Sequence, residues 1–374
     1  VNSYFLAVLF FAFISTIIIF SWFKYGLLYG GGDVGLPSYD PKRILDITKY
    51  IWWEAAAPGT TVPHGLTSVL LQLFQSLFQE VGLSYVAIQA VLFWLILFLS
   101  GYGMFLLALS ILGKEKVILA ILAGLFYMFN PYMMIQVWHR FIHNTFVLMA
   151  ALPFFFIFWG KWIREGKPSS LLIFLLINFL AVSLFGALAF IVTIILLIFL
   201  ISAFEVFIPW KGFNNLKSIS FRMFIGLIAM LCIHFWWLWP AIKVVPPLVS
   251  TQHSASSNIS TLISISNQSV IPFSLLGINP FYLYTNSELG EIFLNPFFLI
   301  LPWLTFMFFI PGFLISLTTK RLAFWAIFWI LAIFFAKGTA PPFGHIYEFV
   351  FSKFFILGIL RNPYEKLGIF LPFS

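Results

Sequence analysis

The sequence predicts an all-α polytopic membrane protein with about nine to ten transmembrane helices and amphipathic helices in its first outer loop. Three observations predict it. The 374 residues are 62% hydrophobic and only 9% charged, where a soluble domain carries roughly a quarter charged residues. Apolar runs of roughly 17–25 residues, the length that crosses a bilayer, recur along the chain. Basic residues collect in short loops between those runs, which is an orientation signal of membrane proteins. The net charge of +8 therefore reflects loop bias and does not point to nucleic acid. A single cysteine, Cys232, excludes a disulfide framework.

The spanning runs fall near 4–22, 85–112, 117–137, 145–160, 171–187, 188–204, 223–240, 295–317 and 322–336. A tenth begins near 367 and is cut by the end of the sequence, so a C-terminally truncated chain is expected. No small-residue cleavage site follows the first run, which reads as a true span and not a signal peptide. The pair at 171–204 is nearly continuous, and Gly186 near its middle suggests a tight re-entry. All of these runs belong to one expected transmembrane domain, 1–374.

The loops sort by charge. GKEK (113–116), KWIREGK (161–167), 205–222 and TTKR (318–321) are short and basic. The segments 23–84, 241–294 and 337–366 are longer and thinner in basic residues, and HRFIHN (139–144) shares their side. The positive-inside rule makes the short basic loops cytoplasmic. An integral protein of the plasma membrane is expected, its N-terminus in the cytoplasm and its first loop on the outer face.

The first outer loop opens with GGGDVGLP. Glycines 30–32 allow close approach of a ligand to the backbone. Asp33, at the mouth of the first span, can take a proton from a sugar hydroxyl or hold a metal, or simply cap a turn. Asp40 precedes Pro41 and reads as the N-cap of a helix over 40–53, with a second reading as a functional carboxylate. That helix is amphipathic and interfacial, with Trp52 and Trp53 at headgroup depth. A second helix near 66–80 is apolar with Gln72, Gln75 and Gln79 on one side. The stretch 250–269 is polar and charge-poor and reads as an exposed loop, with sequons at Asn258 and Asn267.

Further candidates lie on the same expected side. His139 and His143 are four apart and would share a helical face, but no HExxH pattern surrounds them. With Arg140 they suit a phosphate clamp, a metal site or a bland polar turn. Arg361 and Lys366, in ILRNPYEK, lie where the charge rule does not ask for basic residues, and suit either lipid headgroups or a bound phosphate. His234 is intramembrane, and hydrogen bonding within the helix bundle competes with a functional role there. No P-loop, dinucleotide fingerprint or nucleophile elbow occurs.

This layout resembles the C-type glycosyltransferase (GT-C) superfamily, polytopic enzymes that use polyprenyl-phosphate sugars on the outer side of the membrane. The resemblance rests on the inside N-terminus, the long first outer loop, the Asp in GGGDVGLP and a second long outer loop at 241–294. It extends to Arg361, Pro363 and Lys366, which are similar to the R-x-P-x-K motif of arabinofuranosyltransferase-type members, with one residue more between Pro and Lys. It implies Asp33 as general base and a polyprenyl-phosphate sugar donor held by His139, Arg140, His143, Arg361 and Lys366. The implied acceptor is a glycan, lipid or protein. No cofactor is demanded; a divalent metal joining Asp33 and Asp40 is the alternative. A lipid or polysaccharide transporter or flippase and a non-catalytic membrane scaffold stay open beside it.

Overall fold

The computed structural model describes residues 3–30, 39–53, 60–139, 143–187, 189–207, 213–252, 255–267, 295–318, 320–353, 360 and 362–373. They are overwhelmingly helical. The extended pairing among them is a two-residue bridge, Trp52–Trp53 against Thr60–Thr61. Packing groups the chain into two compact units: Val1–Met128 with Val137–Leu248, and Phe129–Gln136 with Val249–Ser374.

In the first unit, α1 (Ser3–Trp22) packs on α4 (Tyr85–Leu112), and α4 packs on α6 (His143–Glu165). The α1 helix is apolar all round. It buries one stripe, Ala7, Phe11, Ser15 and Ile19, at the i, i+4 spacing of a helix face. Phe5, Leu9, Phe13 and Phe20 point outward, as residues facing acyl chains do. Phe11 inserts between Gly101 of α4 and Gly124 of α5 (Val117–Phe129). A Cβ on Gly124 would stand 2.5 Å from the Phe11 ring and 2.7 Å from the Gly101 carbonyl oxygen. Small residues let helices approach this closely in a membrane, where packing and not hydrophobicity drives association. Trp94 Nε1 also donates to Thr16 Oγ1 at 2.9 Å, joining α4 to α1.

Around α6 pack α7 (Pro168–Leu180) and α8 (Ala189–Phe207). Trp159 Nε1 donates to Ser202 Oγ at 3.1 Å, linking α6 to α8. From α9 (Phe213–Gln252), Arg222 Nη1 donates to the carbonyls of Ile163 at 2.7 Å and Arg164 at 3.0 Å. A cation thus satisfies the orphan acceptors where α6 ends. Arg164 pairs with the buried Glu205 at 3.2 Å.

Among the described residues four helices have the length and apolarity of a crossing: Ser3–Trp22, Tyr85–Leu112, Asn144–Glu165 and Leu216–Lys243. Val117–Phe129, Pro168–Leu180, Ala189–Glu205 and Leu322–Ala336 are apolar but shorter. The chain is therefore an all-α membrane protein. Several expected boundaries move. The run 117–137 is broken at Asn130: Pro131 disfavours a helical residue before it, and Asn130 Oδ1 accepts from Met133 N at 3.0 Å to start a new turn. The break expected at Gly186 spans the 3₁₀ turn Val182–Gly186, and α7 has only 13 residues, about 20 Å at 1.5 Å per residue. The run at 223–240 becomes the forty-residue α9.

In the second unit, α10 (Ala255–Ser266) occupies most of the stretch expected to be a loop. Its Ser-rich composition hides an apolar spacing. Leu262 forms a buried cluster with Tyr347 and Phe351 of α13 (Gly344–Lys353), and Ile259 and the Phe334 and Phe335 side chains of α12 (Lys320–Ala336) pack against it. Phe313 of α11 (Pro296–Ser316) sits 5.8 Å from Trp329 of α12. The short helices α14 (Pro363–Leu367) and α15 (Phe370–Phe373) also rest on α12.

Candidate functional site

The Gly-rich segment leaves α1 through an aromatic cluster. Trp22 and Phe23 end the helix, and Tyr29 packs at 5.2 Å from Phe23 and 6.5 Å from Phe93. Trp138, immediately before His139, lies 5.0 Å from Trp22, and 4.9 Å from Phe146, three residues after His143. One cluster thus roots both the GGGD segment and the HRFIHN segment. Burial of the large rings makes it a rigid base.

Tyr29 is further held by a two-way amide clamp. Its N–H donates to Gln89 Oε1 at 2.8 Å, and Gln89 Nε2 donates to its carbonyl at 2.7 Å. Its hydroxyl donates to Trp22 O at 2.7 Å. Gln89 is buried on α4, so its amide needs partners, and an extended backbone supplies both a donor and an acceptor. The chain is therefore fixed four residues before Asp33. Asp33 itself, with 31–38, lies outside the described residues.

On the far flank, Asp40 is the N-cap of α2 (Pro41–Thr48), as expected. Its carboxylate accepts from Arg43 N at 3.2 Å and from Gln79 Nε2 at 3.1 Å. The Gln79 hydrogen bond first, then the Arg43 N–H, hold Asp40 below the ordinary carboxylate range. An ionised cap is what this arrangement makes. Expected over 40–53, the helix stops at Thr48, and Trp52 and Trp53 join the bridge instead. The β-branched and aromatic run after Lys49 favours extended backbone.

The second loop helix, α3 (Val69–Glu80), packs on α2. Gln79 Oε1 accepts from Lys42 N at 3.0 Å, and Lys42 pairs with Glu80. Its polar face is the inner one. Gln72, Gln75 and Ser76 are buried, while Leu73 and Leu77 are 42% and 59% exposed. A helix in water turns its leucines inward; this one has the orientation of a helix facing lipid.

The 3₁₀ turn Pro63–Ser68 packs on the turn Val182–Gly186. Asn144 Nδ2 donates to Ser183 O at 2.6 Å and Leu184 O at 3.1 Å. The ends of α1 and α7, the first loop and the HRFIHN flanks thus share one end of the unit. The basic contacts of Arg164 and Arg222 lie at the other, about 34 Å away along the 23-residue α6. The charge pattern groups these segments in the same way.

The remaining candidates are placed unevenly. Arg140 and Arg361 lie outside the described residues, and only the backbone of His139 and His143 is described. Lys366 Nζ pairs with Glu365 Oε1 at 2.5 Å, in the second unit, and Asn362 Nδ2 donates to Glu365 Oε2 at 2.5 Å. Tyr132 OH donates to Glu365 O at 3.0 Å. Lys366 is thus engaged by a carboxylate neighbour. His234 is a packing residue: Nδ1 accepts from Trp237 Nε1 at 3.1 Å, and Phe185 meets its ring edge-on at 4.7 Å. Among the described residues no three of His, Cys, Asp and Glu are grouped to hold a metal. Sequence reading missed Gln89 and Tyr29; a lone Gln in an apolar run was the available signal for the first.

These helices and their packing define an all-α integral membrane protein. No family model, curated protein or solved structure matches the chain.

Proposed function

We propose that this protein is a GT-C type membrane glycosyltransferase. It moves a sugar from a polyprenyl-phosphate donor to a glycan, lipid or protein acceptor on the outer face of the plasma membrane. Asp33 acts as general base on the acceptor hydroxyl. The observation that supports this reading best is the anchoring of the GGGD segment. The Gln89 clamp on Tyr29 and the Asp40 cap hold its two flanks. Its near flank shares an aromatic base with the HRFIHN segment. A base must be held within about 3 Å of the proton it removes, and the residues on either side of the Asp33 segment are anchored, as that need requires. A sugar phosphate on a prenyl chain stays at the membrane surface, where that loop emerges. A phosphate requires charge-assisted contacts, for which the sequence offers Arg140 with His139 and His143 and, separately, Arg361. A transporter places its substrate groups near the midplane, and in the sequence Asp33 and Asp40 follow the first apolar helix and are not within it.

The experiment is release of polyprenyl phosphate. Purified protein, reconstituted with envelope acceptors, is offered a panel of polyprenyl-phosphate hexoses and pentoses. Protein-dependent release of the lipid phosphate from at least one is expected. No release from any donor leaves the transporter or scaffold reading.

The orientation has its own test. Cys232→Ala removes the native thiol, and Lys49→Cys and Lys167→Cys then place a probe on each end. Both lysines are exposed, and their present partners are surface carboxylates. An impermeant thiol reagent added to intact cells should label the first and spare the second. The reverse pattern sinks the outer-face site.

A further inference from the structure

Lys337 follows α12 and is 2% exposed, in a part of the chain where the charge rule asks for no basic residue. Among the described residues its Nζ meets only backbone carbonyls, Ala340 O at 2.6 Å and Gly338 O at 3.5 Å. It also stands 5.1 Å over the Phe334 ring. Dipoles and a ring face do not neutralise an ammonium, and a buried cation without a counter-charge is costly. Burial holds this ammonium below the ordinary lysine range.

Three hydroxyls have no hydrogen-bond partner among the described residues: Thr339 Oγ1 on the same turn, Ser266 Oγ at the end of α10 and Tyr347 OH on α13. Ser266 is fully buried, and its Oγ touches the place a Cβ on Gly338 would take. Tyr347 lies 6.4 Å, ring to ring, from the Phe334 that carries Lys337. Among the described residues, then, a cation has no counter-charge and three hydroxyls have no partner. A tetrahedral oxyanion supplies acceptors only, together with the missing charge.

We infer that the Lys337 turn binds a phosphate group, with the ammonium and the Ser266, Thr339 and Tyr347 hydroxyls as its donors. The turn also abuts the segment that carries Lys366. A Cβ on Gly338 would lie 2.7 Å from Pro363 Cγ. If the transferase proposal holds, the phosphate is that of a lipid-linked sugar. A phospholipid headgroup and free phosphate offer the same chemistry.

The test compares the full chain with Lys337→Met, which keeps the stem and removes the charge, and with Ser266→Ala, a small change that tests the site by a second route. Binding of farnesyl phosphate, dioctanoyl phosphatidic acid and inorganic phosphate is measured by titration calorimetry in detergent. Circular dichroism and the melting temperature without ligand report on the fold. Farnesyl phosphate should bind tightest and lose at least tenfold in affinity in Lys337→Met and severalfold in Ser266→Ala. The ligand-free melting temperature of Lys337→Met should not fall, because an unpaired buried charge has been removed. Equal dependence on Lys337 with phosphatidic acid or inorganic phosphate as the tightest probe keeps the phosphate site and reassigns its source. Three outcomes overturn the site: no probe binds the parent, all bind the variants equally, or melting falls with affinity unchanged. The last would make Lys337 a cap on α12. Lys337-dependent binding without sugar transfer keeps this site and removes the transferase. Transfer that depends on Asp33 but not on Lys337 does the opposite.

Discussion

Asp33→Asn is expected to lower sugar transfer by at least about a hundredfold while leaving insertion and donor binding intact. The amide keeps the size and polarity of the carboxylate but cannot take a proton. Loss of a general base typically costs about 10²–10⁴ in rate. Asp40→Asn is the comparison on the same loop. Asn caps helices about as well as Asp, and its amide oxygen can still accept from the Arg43 N–H. Transfer by Asp40→Asn should therefore fall less than about tenfold, well short of a base deletion. Release of polyprenyl phosphate measures both variants. Equal and mild losses would make Asp33 a turn residue and return the protein to the scaffold or transporter reading. Equal and severe losses would mean that the two carboxylates act together through a divalent metal, and a chelator should then abolish transfer in the parent.

Gly124→Ala should destabilise the α1–α4–α5 packing by about 1–3 kcal/mol, the cost of adding volume to a close-packed site. The new methyl would meet the Phe11 ring at 2.5 Å and the Gly101 carbonyl at 2.7 Å. A backbone oxygen cannot swing aside, so α1 or α5 must shift. Gly101→Ala should cost less, because its obstacles, Met128 Sδ and the Phe11 ring, are side-chain atoms and not backbone. Thermal unfolding in a fixed detergent measures each. Phe11→Ala removes the ring that fills the groove and should cost about 3–5 kcal/mol by itself. Combined with Gly124→Ala, it should cost less than the sum, because the added methyl enters the space the ring leaves. Strictly additive losses would mean that Phe11 and Gly124 do not share this contact.

Local chemistry made part of the fold legible. The apolar runs at 4–22 and 85–112 matched α1 and α4 closely because composition alone sets a helix that lipid surrounds. Asp40 and Pro41 announced the start of α2, a decision made within four residues. Charge grouped 161–167 with 205–222 and 23–84 with 139–144, and in the first unit the contacts of Arg164, Arg222, Asn144 and Tyr29 group the described parts of those segments likewise. The end of α2 was misjudged because the amphipathic spacing continues past Thr48 while the backbone preference changes. The α10 helix was missed because its serines dominate the composition and its buried positions, Leu262 and Ser266, acquire meaning only through α12 and α13.

The sequence by itself determined that this is a membrane protein, where its apolar segments lie, and which loops carry charge. Only the tertiary structure decided that Gln89 grips Tyr29 across sixty residues of chain, that α3 turns its glutamines inward, and that Lys337 is buried with no counter-charge among the described residues. The physical reason is the solvent. In water a helix must hide its apolar face, so periodicity tells inside from outside. Beside lipid either face can be the outer one, and the choice passes to the polar partners that each buried side chain finds on distant parts of the chain.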